Sequence, residues 1–414
     1  MNEKKQKLVK QNELIDRVPH GTNQLRMRLS NERLVLSIIR RYPGISKSDI
    51  AKMTGLTPQA ATIIINRLEF DGLLRRQEIS RGRVGQPAVP YKLNPEGVFS
   101  VGLSIGRWSC ETVLIDFVAG IRERVFSETF VYPIPKQVVD FVVDSYSRLT
   151  EKLGSEQRNM VCGYGITAPF ISSMSSEISQ LPARVVKLWE NFDLVAEITN
   201  QLRSSVYICN DAIAACQADL MLEGSGRPFD FLYIHIGVCV GGGLVLDNRV
   251  FHGGSGRAGA VASFPMPDNT LLPGPDMSSL AQVASLLSLD RKIRQAGVIS
   301  TYQCGSEGWW ADVCDASMNE WINEIVPCLA CVAASAVALC DIAAFVVDGD
   351  CSFDVRDRIA KEVARCLKKY YVHGVESLSV IAGSLGTDAC VLGAAVLPLL
   401  NFEYASASSY KNLC

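Results

Sequence analysis

The sequence predicts an α/β protein with a winged helix-turn-helix at its N-terminal end and a larger body behind it. Three observations carry this. Residues 46–68 hold two consecutive helix starts, each with a side chain able to cap it, separated by a glycine stop. From residue 98 to residue 402, segments of strand pattern alternate with segments of helix pattern. Charge divides the 414-residue chain. Residues 1–92 hold 18 Lys and Arg against 8 Asp and Glu, and the remainder holds 23 against 35, within a net charge of −2. A basic head on an acidic body points to a nucleic-acid-binding module joined to something else.

The head reads element by element. Residues 1–29 are polar and basic, with no clear apolar face, and are expected to form a basic arm, either flexible or a short frayed helix. In SNERLVLSIIRRYPG, Ser30 can cap a helix whose stripe is Leu34, Val35, Ile38, Ile39 and Arg41, and Pro43-Gly44 ends it. In ISKSDIAKMTGL, Ser46 stands at an N-cap position with Asp49 three residues on, and Ile45 and Ile50 can staple the entry. Gly55 makes the turn. In LTPQAATIIINRLEFDGLLRR, Thr57 caps, and Pro58 takes the first helical position, where its missing N–H does no harm.

Ala61, Ile64, Ile65 and Leu68 then face inward, which leaves Gln59, Thr62, Asn66 and Arg67 outward. Those side chains suit base edges: Gln and Asn match adenine, Arg matches guanine, and Thr is versatile. Two strands around SRGRVGQP make a wing, with Arg81 and Arg83 at its tip for phosphates or the minor groove. The expected partner is double-stranded DNA. Its expected contacts are Ser46, Lys47, Thr57, Gln59, Thr62, Asn66, Arg67, Arg81, Arg83 and Gln86.

In the body, residues 99–117 read as a strand pair turning near 106–109, and IRERVFSETFVY follows as a strand. A helix is expected over 136–153, a strand at MVCGYGITAPF, and a helix over 194–203. The strand VYICNDA then leads into the helix AIAACQADLML. FLYIHIGVCVGGGLVLDNRVF reads as a hairpin whose turn is shaped by Gly241, Gly242 and Gly243. The chain ends as helix, strand AAFVVDGD, helix 355–371, strand SLSVIAG and helix 388–400.

The apolar run 325–340 is shorter than the roughly 20 residues of a spanning helix, so a buried helix and no membrane partner are expected. A polar N-terminus and 14 scattered cysteines read as a cytoplasmic chain with reduced thiols. Cys328 and Cys331 read as core packing, because no second pair completes a zinc site.

The GRVGQP wing, GLSIG, GITAPF, LWENFDL before VYICNDA, the glycine loop with HGGSGRAG, and GTDACVLGAA together resemble the ROK family. That family groups sugar-responsive repressors with sugar kinases on a two-lobed, actin-like ATPase (ribonuclease H-like) fold. The resemblance covers residues 30–400, and the fused head places the chain on the repressor side. It implies a winged head at 30–94, one lobe at 98–215 completed by a C-terminal helix at 386–402, and a second lobe at 216–385.

The resemblance also lets each chemical part be compared. Where kinases of the family carry D-x-G-x-T, this chain has Ser104, Gly106 and Trp108. Where they carry a G-T-G-I-G-G-G loop, it has Gly237, Val238, Cys239, Val240, Gly241, Gly242 and Gly243. The family's A-G-E-x-G-H element reads Ala258, Gly259, Ala260, Val261, Ala262, Ser263, without the Glu and the His. The zinc segment has no counterpart, since MPDNTLLPGPDMSSLAQVASL contains no cysteine, and His235 and His252 read as packing or surface residues.

Asn210 and Asp211 are retained. In kinase members this Asp is the general base; here it either binds hydroxyls or caps the helix starting at Ala212. No catalytic residue, metal or cofactor is expected.

The expectation is therefore a DNA-binding transcriptional regulator, a repressor, acting as a homodimer or homotetramer. A small polar or sugar-like effector would bind at Thr167, Pro169, Asn210, Asp211 and Arg257. The alternatives are a sugar kinase with a regulatory head, or a ligand-independent DNA-binding dimer.

Overall fold

A computed structural model of the chain describes residues 24–78, 89–127, 133–168, 182–266, 279–298, 300–370 and 374–404. The head contains helices Gln24–Arg41, Lys47–Thr54 and Pro58–Phe70 and a three-stranded sheet. The second and third helices start as their sequences require. Ser46 Oγ accepts from the Asp49 N–H at 3.2 Å, Thr57 Oγ1 accepts from Ala60 N–H at 3.2 Å, and Gly55 ends the shorter helix in the left-handed region at φ 68°.

The first helix differs from expectation. It already includes Gln24, so Ser30 lies inside it and caps nothing. Part of the expected arm is therefore helical. The wing strands are Leu74–Arg76 and Pro90–Leu93, and the pair Ile45–Ser46 adds a third strand that local pattern did not reveal.

The body holds two five-stranded sheets. The first has the antiparallel strands Phe99–Ile105, Cys110–Asp116 and Ile121–Ser127, extended by the parallel strands Val161–Ala168 and Val206–Asn210. The second has Phe231–Ile236 at its centre. It pairs antiparallel with Val240–Leu246 and parallel with Ala344–Gly349, which in turn pairs with Ser379–Ala382.

Two helices, Asp211–Glu223 and Ala389–Tyr404, pack along each other. The first lies on strand Val240–Leu246 of the second sheet, the other on strands Phe99–Ile105 and Val161–Ala168 of the first. They form the seam between the two lobes.

Glycine explains how close that seam is. Gly241, Gly242 and Gly243 do not form a turn; they lie within strand Val240–Leu246, and the hairpin turns at 237–239. A Cβ on Gly241 would stand 2.5 Å from the Ala212 Cβ, and one on Gly243 would stand 2.6 Å from the Cys216 Cβ. These residues let helix Asp211–Glu223 lie directly on the sheet.

Helix Asp315–Cys340 is 26 residues long, longer than the apolar run that suggested it, and is long and apolar enough to cross a membrane. Half of its most apolar window is buried here, with Trp321, Ile322, Ile325, Leu329 and Ala333 in the core of the second lobe. Cys328 and Cys331 are half-buried on this helix, and the described cysteines are all free thiols.

Candidate DNA-binding face and inter-lobe site

The outward face of helix Pro58–Phe70 carries Gln59, Ile63, Asn66 and Phe70, all exposed, with Thr62 and Arg67 half-buried at its sides. Several of the expected readers are engaged within the head. Ser46 serves as a cap and is buried. Lys47 Nζ donates to Asn66 Oδ1 at 2.6 Å and lies over the Tyr91 ring. Thr62 Oγ1 donates to the Pro58 carbonyl at 2.7 Å. Arg67 Nε stands 3.8 Å from Glu32 and 3.6 Å from Asp71, so two carboxylates hold it on the helix flank. Arg81, Arg83 and Gln86 lie outside the described residues. Arg75, which sequence reasoning passed over, is exposed on the first wing strand.

The head is fastened to both lobes by two neighbouring arginines at the end of its first helix. Arg40 Nη1 donates to the Phe117 carbonyl in the first lobe at 2.8 Å, and its guanidinium lies 5.1 Å over the Phe117 ring. Arg41 reaches the second lobe. Its Nη2 donates to the Arg227 carbonyl at 2.8 Å, its Nη1 to Asn248 Oδ1, and it stacks over Phe229. Arg227 is itself held by Asp219 through two bonds of 2.8 and 2.7 Å, and Asp219 sits in helix Asp211–Glu223. That 13-residue helix is a rod of about 20 Å at 1.5 Å per residue. It runs from Asp211 at one end to the head's anchor at the other.

At the Asp211 end the structure separates the two roles left open by the sequence. Asn210 is the cap, its Oδ1 accepting from the Ile213 N–H at 3.2 Å, and the helix starts at Asp211 rather than Ala212. Asp211 Oδ1 accepts from its neighbour Ala212 N–H at 2.8 Å, and its carboxyl group is also hydrogen-bonded by the Asn210 side chain. Burial pushes its carboxyl pKa up, against the pull of that N–H and of His235. Thr167 is fully buried and donates to the Cys390 carbonyl at 3.2 Å, tying the first sheet to helix Ala389–Tyr404. Arg257 is exposed on the loop after the second sheet's edge, and Pro169 lies outside the described residues.

The structure adds three residues that the sequence did not bring together. His235 Nε2 lies 3.2 Å from Asp350 Oδ1 and 3.6 Å from Cys390 Sγ. Burial opposes charge on the ring, but the contacts of Cys390 and Asp350 outweigh it and hold the His235 pKa well above the usual imidazole range. Asp350 also stands against the glycine loop, its Oδ2 2.8 Å from where a Cβ on Gly237 would be. The available signal was VVDGD, carboxylates at the end of a parallel strand, where open α/β sheets place their ligands.

Next to this cluster, Arg356 is buried against Asp348, with Nη1 3.3 Å from Oδ1. The same Nη1 donates to the Gly349 and Cys351 carbonyls at 3.2 and 3.1 Å. It lies so close to Gly386 that a Cβ there would meet it. The turn at 106–109 crosses from the first lobe, and Trp108 packs on the core of the second.

Comparison with known proteins adds the following. A ROK family profile matches residues 100–399 and a MarR family profile matches residues 30–81. The xylose repressor of Caldicellulosiruptor bescii is 22% identical over 284 residues, 68% of this chain and 70% of that protein. The DNA-binding transcriptional dual regulator NagC of Escherichia coli K12 is 20% identical over 235 residues, 56% of each chain. Among solved structures, a ROK family transcriptional regulator homologous to the E. coli Mlc protein aligns with a TM-score of 0.65 at 19% identity, covering 91% of this chain and 97% of its own. The ROK hexokinase of Thermus thermophilus aligns at 0.55 and 20% identity, covering 73% and 99%. These structural likenesses establish a common fold.

Proposed function

Because the chain belongs to the ROK family, we infer that its winged head makes it a DNA-binding transcriptional regulator, a repressor whose body senses a small polar, sugar-like effector. One observation carries the reading: a doubly capped helix pair presents an exposed, polar-edged helix at the far end of a chain whose relatives include a xylose repressor and a DNA-binding transcriptional dual regulator. Helix Pro58–Phe70 enters the major groove, and the wing follows the backbone. We place its work in the cytoplasm, as a homodimer or homotetramer that sets two heads on a pseudo-palindromic site. We divide the chain into a head at 30–94, extended back by the helix from Gln24, a first lobe at 98–215 with 386–402, and a second lobe at 216–385.

We also propose that the body does not transfer phosphate. Asp350 places a carboxylate over Gly237, where a phosphate would have to approach the loop, and Arg356 fills the carboxyl end of the second sheet. The Asp350 carboxylate disfavours the phosphates of a bound nucleotide. Asp211 and Asp350 instead offer acceptors to hydroxyl groups. A coupled ATPase assay over a panel of sugars tests this. Turnover that disappears in Asp211→Ala would overturn it in favour of a kinase.

Two measurements test the regulator itself. Affinity for a selected duplex should fall about 10³-fold between 50 and 200 mM salt, the loss expected when about six phosphates are neutralised. A salt-independent affinity would contradict the assignment. Thermal-shift screening against sugars and sugar phosphates should find a ligand that stabilises the protein by about 2.7 kcal/mol at 100 times its Kd, and Asp211→Ala should abolish that shift. Arg41→Ala should keep both DNA and ligand binding within about threefold while removing the ligand's effect on DNA affinity. An Arg41→Ala variant that still responds would show that coupling takes another route.

A further inference from the structure

We propose that Ile63 reads the C5-methyl group of a thymine in the major groove and thereby sets the base preference at one position of each half-site. The inference rests on helix Pro58–Phe70 being the DNA-reading helix, and it adds a residue that the polar-contact reading left out.

The exposed face of the helix is a single stripe of four side chains. Gln59, Ile63, Asn66 and Phe70 are spaced by four, three and four residues, so they form one stripe along the helix. Around that stripe the polar groups are mostly committed inside the head. Thr62 donates its hydroxyl to Pro58, Asn66 has Oδ1 occupied by Lys47, and Arg67 is flanked by Glu32 and Asp71. Ile63 sits between Gln59 and Asn66 with 65% of its surface open to water. Its neighbours Ile64 and Ile65 are buried in the head core, so Ile63, the first isoleucine of the run, is the one that packing does not explain.

A β-branched side chain is a poor choice for an exposed helix position, because it loses χ1 freedom without gaining contacts. The same stiffness makes it a good reader. Its methyl groups are already held in one rotamer, so little further order is lost when they meet a partner. Among the base edges in the major groove, the apolar group is the thymine methyl. Gln59, one turn before Ile63 on the same stripe, has the chemistry for adenine, so an adenine–thymine step beneath the stripe would satisfy both side chains.

The test uses the full chain and a duplex selected from a random pool. Each thymine of that duplex is replaced singly by deoxyuridine, which removes the methyl group alone, and Kd is measured by fluorescence anisotropy for wild type and Ile63→Ala. Because Ile63 is exposed and Ala is the better helix former, the variant keeps its fold. At one position per half-site the replacement should weaken wild type about 3- to 10-fold and leave Ile63→Ala unchanged.

A duplex indifferent to every thymine methyl overturns the proposal. So does a penalty of equal size in both proteins. A change in oligomeric state on Ile63→Ala, with the methyl penalties intact, assigns the residue to a protein contact and also overturns it. Failure to select any duplex would remove the DNA-binding reading itself, a result distinct from all three.

Discussion

Arg227→Ala is expected to lower the free energy of unfolding by about 3–5 kcal/mol, because it leaves a buried carboxylate without its partner. Asp219 is fully buried and Arg227 is 5% exposed, and the two are joined by paired bonds of 2.8 and 2.7 Å. Burial pushes the Asp219 carboxyl pKa up even with Arg227 present, and the variant removes the group that pulls it down. The sign follows from linkage. An acid whose folded pKa lies above its unfolded value binds its proton more tightly when folded, so the deficit is full above the folded pKa and shrinks as pH falls through it. Urea unfolding at pH 7 and pH 5 should therefore give a smaller deficit at pH 5. The double variant Asp219→Leu with Arg227→Met should recover most of the loss, since an apolar pair of similar volume replaces both charges. A double variant as unstable as the single one would falsify the charge argument. The same substitution loosens the segment whose carbonyl receives Arg41, so the head's anchor weakens with it.

Gly165→Ala is expected to cost about 3 kcal/mol, near the upper end for overpacking, and to lower Tm by roughly 3–5 °C. A Cβ on Gly165 would stand 1.8 Å from the Ala394 carbonyl oxygen and 3.0 Å from Pro398 Cδ. The clash is with backbone, which no side-chain rotation can relieve. Gly102 meets Ala395 in the same helix, and Gly393 meets the backbone of Ala214. These glycines bring the first sheet, helix Ala389–Tyr404 and helix Asp211–Glu223 into direct contact. Calorimetry of Gly165→Ala tests the claim, and a Tm within a degree or two of wild type would refute it.

Where interactions are local, the sequence by itself determined the outcome. Ser46 with Asp49, Thr57 with Ala60, Pro58 and Gly55 act within a few residues of one another, so the helix pair could be read from their order. The alternation of strand and helix in the body was legible for the same reason, since side-chain period reflects which face is buried. The exception within the head is the start of the first helix. Ser30 has the chemistry of a cap, but the six residues before it, 24–29, are already helical.

Only the tertiary structure decided what the distant residues do. Gly241–243 looked like a turn because glycine permits one; they are strand residues, kept small at Gly241 and Gly243 by the helix above them and at Gly242 by Tyr233 and the 259–261 segment on the opposite face. Thr167 looked like a ligand contact, yet its hydroxyl is turned to a carbonyl 223 residues away. His235, Asp350 and Cys390 meet from three separate segments, and Arg67 finds Glu32 across the head. Arg40 and Arg41 are adjacent in sequence but bind different lobes. Such contacts depend on how whole elements pack, and packing is a property of surfaces that sequence spacing does not encode.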